Sequence, residues 1–133
     1  MRRSDVRIDR DLGEQTPPEW GDQILQGLIR GRGLCEAYLF HAPSRTLVLT
    51  DLIENLAPRK LPPVTAAVMS TLLATRGTVP LHARAALRMG GAETRAAIHE
   101  MLDLDPETVL FAHGEVFTDD AAARLRQAFA WLP

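Results

Sequence analysis

Residues 35–51 read CEAYLFHAPSRTLVLTD. Two apolar runs, one ending at Phe40 and one spanning Leu47–Leu49, flank the short Ala42-Pro43-Ser44 stretch. That pattern predicts a β-hairpin. Leu39 and Phe40, and Leu47, Val48 and Leu49, are apolar at successive positions rather than alternating ones. Strands of this kind are covered on both faces, which predicts helices packed on the sheet. The hairpin also sets a register. His41 falls beside Arg45 or Thr46, and Asp51 lies five or six residues further along, roughly 16–20 Å away at about 3.3 Å per residue. The same register sets Cys35 and Glu36 opposite Asp51.

Upstream, ILQGLI (24–29) is a short apolar run closed by Gly31 and Gly33, which predicts another strand. Residues 1–18 alternate in charge and end in Thr16-Pro17-Pro18. Paired prolines oppose helix and central strand alike, so this segment reads as a loosely packed arm, with a single domain over 19–133.

Downstream the period changes. After Pro62-Pro63, the residues Val64, Val68, Leu72 and Leu73 fall on one helical face, and Gly77 is a plausible stop. Pro80 opens a short helix, LHARAALR. ETRAAIHEMLDL (93–104) predicts a third, with Ala97, Ile98, Met101 and Leu102 on one face. Asp105-Pro106 ends it and leads into a strand at Thr108–Ala112. Thr118 then reads as the cap of a last helix, with Asp119 and Asp120 in its first turn and Leu125, Ala128, Phe129 and Leu132 as its buried stripe. The order β-β-β, helices, β-α predicts an α/β domain with a mostly antiparallel sheet and packed helices.

The 133 residues suit one domain, and 46 % hydrophobic residues suffice for one core. A formal charge of −2 and a pI near 6.1 give no electrostatic footprint for nucleic acid. No run of about 18 apolar residues spans a membrane, and the charged N-terminus lacks a signal-peptide core. One cysteine, Cys35, excludes an internal disulfide. The expected setting is the cytoplasm.

Two polar residues stand at strand exits. Asp51 follows Leu47–Thr50, and His113 follows Val109–Ala112, with Gly114 allowing a sharp turn behind it. The carboxyl ends of buried strands aim side chains into a crevice. A carboxylate and an imidazole together suit zinc, manganese or iron(II). The plainer alternative is that both are polar residues where strands stop. His41 beside Ser44 resembles a base and a nucleophile, but the hairpin register makes both structural residues of the turn. His82 and His99 sit on predicted helices with no second histidine at i+4, and Cys35 reads as a small buried residue.

FHAPSRTLVLTDLIENL (40–56) and VLFAHGEVFTDDAAARLRQAFAWL (109–132) together resemble an uncharacterised branch of the metallo-β-lactamase-like superfamily. The resemblance implies the C-terminal half of an αββα sandwich. It implies that Asp51 bridges two metals and that His113 binds one of them. Glu54 and Glu115 would stand behind these ligands as hydrogen-bond acceptors. The family's His-x-His-x-Asp-His motif is absent, and no histidine precedes His41. The expectation is therefore a hydrolase-related domain that is incomplete or degenerate, with zinc, manganese or iron weakly held or not held. Half a sandwich exposes the apolar residues of its sheet, so a homodimer or a protein supplying the missing half is expected. The competing readings are a non-catalytic associating module and a metal-free domain that binds a small ligand or peptide.

Overall fold

The computed structural model describes Arg7, Asp9, Leu12, Gly13 and residues 15–132, so much of the expected 1–18 arm lies outside the described residues. In chain order the elements are strands β1 (Ile24–Gly31), β2 (Leu34–His41), β3 (Thr46–Val48) and β4 (Glu54–Asn55). Helices α1 (Pro63–Thr71), α2 (Leu81–Met89) and α3 (Gly91–Asp103) follow. Strands β5 (Thr108–Leu110) and β6 (His113–Gly114) and helix α4 (Ala121–Phe129) complete the fold.

The main sheet has the order β1-β2-β3-β5. β1 and β2 form a hairpin from Ile24↔His41 to Gly31↔Leu34. β2 and β3 form the second, with Phe40↔Leu47 and His41↔Thr46, as the Ala42-Pro43-Ser44 turn predicts. β5 then adds parallel to β3, with Leu47↔Val109. The sheet is thus mixed, antiparallel in two of its three pairings. A second, two-stranded sheet pairs β4 with β6 in parallel.

Paired residues share a face, and faces alternate along each strand. One face carries Ile29, Tyr38, Phe40, Leu47, Leu49, Val109 and Phe111, all buried. Ala83 and Leu87 of α2, Ile98 and Met101 of α3, and Leu125 and Phe129 of α4 join them in one core. The other face presents Leu39, Val48 and Leu110, none of which belongs to that core; Val48 and Leu110 are each 38 % exposed. The expectation that both faces are covered therefore holds for one face only. Unbroken apolar runs put hydrophobic side chains on both sides of a strand, but α2, α3 and α4 all pack on the same side.

Two further expectations are corrected. The stripe on the first helix does not reach the core: Val64, Val68 and Leu72 are exposed, and α1 buries no residue. The helix stops at Thr71, and Leu73 adopts a left-handed conformation at φ 66°. The Ala74 N–H then closes back onto the Met69 carbonyl, and the reversed chain sends Ala74 and Val79 inward instead. The last helix begins at Ala121, with Asp120 in the left-handed region as its cap residue, so Thr118 and Asp119 precede it. No side chain caps it; the Arg124 N–H bonds to the Asp120 carbonyl.

Candidate functional site

The parallel pairing of β3 with β5 continues past both strands. The Leu49 N–H donates to the Leu110 carbonyl at 2.8 Å, and the Ala112 N–H to the Thr50 carbonyl at 3.3 Å. Carried to the strand exits, the register that pairs Thr46 with Thr108 sets Asp51 opposite His113. Their side chains meet: His113 Nε2 lies 3.1 Å from Asp51 Oδ1. The imidazole can donate from Nε2, which leaves Nδ1 as its free ring position. Both side chains are more than half exposed, at 55 % and 58 %. An exposed pair of this kind contributes about 0–1 kcal/mol, so stability alone is a weak reason for it.

The glycine behind His113 has a structural cause. At Phe111 and Ala112 the chain turns from β5 into β6 and lies against β4, with Glu54↔His113 and Asn55↔Gly114. Gly114 has φ 109°, and a Cβ there would overlap the Asn55 carbonyl. β5 itself ends at Leu110, short of the expected Ala112; His113 opens β6, and a glycine follows it because residue 114 is pressed backbone to backbone against β4.

Glu36 of β2 completes the cluster. Its carboxylate accepts from the hydroxyl of Thr50, the residue before Asp51. Burial pushes the Glu36 carboxyl above its usual range; the Asp51 N–H opposes this, and the Asp51 charge adds to it. The hairpin register alone points to Glu36, because the pairing of Leu39 with Val48 extends to Glu36 opposite Asp51. What the sequence lacks is any signal that Thr50 turns its hydroxyl onto the same carboxylate.

Glu54 is half-buried in β4, directly paired with His113 through the backbone. The Glu115 carboxylate is turned to Arg59 at 2.6 Å and Lys60 at 3.5 Å. His41 and Ser44 are joined at 2.7 Å between Nδ1 and Oγ, and Ser44 Oγ meets Thr46 Oγ1 at 2.8 Å. This chain ties the turn to the start of β3, at the opposite end of the hairpin from Asp51. Cys35, expected to be buried, is instead exposed, with Arg30 Nη1 at 3.7 Å from its sulfur. His82 and His99 are exposed on α2 and α3.

A metal can be tested against this donor set. Two ligands on one zinc ion, each at about 2.0–2.2 Å and a tetrahedral angle, stand about 3.3 Å apart. The Asp51–His113 separation suits such a pair. A third donor is not in place: among the described residues, no group of three His, Cys, Asp or Glu side chains is arranged to hold a metal. Catalytic zinc sites use three protein ligands and an open position, so these residues make two-thirds of one.

A cleft of about 920 Å³ lies elsewhere, at the amino ends of β3 and β5. Its arginines are engaged with its acids: Arg45 Nη2 lies 3.3 Å and Arg126 Nη1 2.9 Å from the Asp105 carboxylate. Size does not make it the stronger candidate, since its charges already satisfy one another. Among the described residues, no helix is long and apolar enough to cross a membrane. No protein-family model, curated protein or solved structure matches the chain.

Proposed function

We propose that the chain is a hydrolase-related module, built like one half of a metallo-β-lactamase-like sandwich, with Asp51 and His113 as an incomplete site for a divalent cation. The observation that supports this reading is their 3.1 Å approach at the carboxyl ends of adjacent parallel strands. The motifs around residues 40–56 and 109–132 supply the family expectation. Zinc, manganese or iron(II) bound there would supply Lewis acidity. The chain's own contribution is a carboxylate oxygen and an imidazole nitrogen, aimed by a rigid sheet. Two donors hold such an ion weakly, so we assign no catalytic turnover to one copy alone. The setting we assign is the cytoplasm.

The test is zinc binding measured by competition with a chromophoric chelator. The expected result is weak binding by the wild-type chain that is lost in both Asp51→Asn and His113→Ala. Equal zinc content in all three proteins, or none in the wild type, overturns the metal site.

A second reading is favoured by the sheet face outside the core. Leu39, Val48 and Leu110 lie on neighbouring strands of one face, with Leu39 directly opposite Val48 and Val48 opposite Leu110. In this reading the module acts by association, with a second copy of the chain covering that face, and the site residues are vestigial.

A further inference from the structure

We infer that Glu36 is the positioning residue of the Asp51–His113 pair, an inference that rests on reading this pair as the functional site. The β2–β3 pairing runs from His41↔Thr46 to Leu39↔Val48 and goes no further. Beyond Val48 the exiting chain is held on the β5 side by the Leu49 and Ala112 amides. On the β2 side it is held by a side chain. The Glu36 carboxylate reaches across and takes the Thr50 hydroxyl, at the point where β2 no longer supplies ladder bonds.

The consequence falls on Asp51. Thr50, immediately before it, is held from both sides, through its carbonyl by Ala112 and through its hydroxyl by Glu36, where the Asp51 side chain leaves toward His113. Without Glu36, Thr50 keeps only the Ala112 bond to its carbonyl, and the carboxylate of the next residue loses part of its fixed aim at Nε2. A half-buried acceptor beside a neighbouring carboxylate is an electrostatically poor choice for a purely structural tie, because the two negative charges repel. A glutamine amide oxygen can accept the same hydrogen bond without the charge. That difference separates positioning from ligation.

The experiment compares wild type, Glu36→Gln and Glu36→Ala by two readouts. The first is the tautomer of His113, read from its imidazole nitrogens by long-range proton–nitrogen correlation at a pH where the ring is neutral. The second is zinc affinity by chelator competition. Positioning predicts the Nε2–H tautomer in wild type and Glu36→Gln, and a mixture of tautomers in Glu36→Ala. It also predicts zinc affinity kept within about threefold in Glu36→Gln and weakened about 10- to 100-fold in Glu36→Ala. An unchanged tautomer in Glu36→Ala overturns the inference. Equal loss of zinc in Glu36→Gln and Glu36→Ala also overturns it, because Glu36 would then be a ligand. If the wild type binds no zinc, the metal site fails, and the tautomer still decides the role of Glu36. If Glu36→Ala does not fold, Thr50→Val removes the same bond from its other end and must still yield a detectable second tautomer; a single unchanged tautomer overturns the inference.

Discussion

His113 Nε2 stands 3.1 Å from Asp51 Oδ1, although nearly half the chain separates the two residues. Their pairing is a product of the parallel alignment of β3 with β5 and not of local sequence. Because both side chains are more than half exposed, removing either costs little fold stability. His113→Ala is expected to lower unfolding free energy by no more than about 1 kcal/mol while abolishing zinc binding. Chemical denaturation alongside the chelator assay checks this. A loss of several kcal/mol would make the pair structural.

Gly114 carries the opposite expectation. An alanine there meets both an unfavourable φ of 109° and the Asn55 carbonyl. Backbone strain and overpacking each cost about 1–3 kcal/mol, so Gly114→Ala should be among the most damaging exposed substitutions in the chain. Thermal unfolding reads the effect. A midpoint within a degree or two of wild type would show that β6 can leave β4 without penalty.

His41→Ala removes the 2.7 Å bond to Ser44 at the hairpin turn. The expected loss is about 1 kcal/mol, with zinc affinity unchanged. Loss of zinc from a folded His41→Ala protein would mean that the turn communicates with the far end of the hairpin.

The raised Glu36 carboxyl sets a pH dependence. Its folded-state pKa exceeds its unfolded one, so the folded chain binds more protons in the window just above the usual carboxylate range. Stability contributed by this group therefore falls as pH rises through that window. Glutamine does not titrate. The difference in melting temperature between Glu36→Gln and wild type should shift in favour of the variant as pH rises through the carboxylate range and then level off. A difference that stays flat over that range would show that Glu36 titrates alike in both states.

Association through the sheet face predicts a mass above 14.7 kDa that depends on concentration in the micromolar range. Val48→Glu, alone or with Leu110→Glu, should return the chain to a monomer without unfolding it, since each position is 38 % exposed. Light scattering decides this. A monomer in the wild type would leave the face without a second copy and remove the associating reading.

The local elements were legible in the sequence because short-range chemistry decides them. The Ala42-Pro43-Ser44 turn fixes the β2–β3 register, and that register by itself puts His41 at one end and Glu36 opposite Asp51 at the other. The buried stripe of α4 follows from its helical period. The α1 stripe misled because period reports only which residues share a face. Whether that face finds a partner depends on Leu73, whose left-handed turn withdraws the helix from the core. The tertiary structure alone decided that β5 joins β3 in parallel, that α2, α3 and α4 all choose one side of the sheet, and that Asp51 therefore meets His113. Those choices rest on packing between segments far apart in the chain. Such contacts depend on the shapes of surfaces that exist only once the elements have formed, and a linear pattern does not encode them.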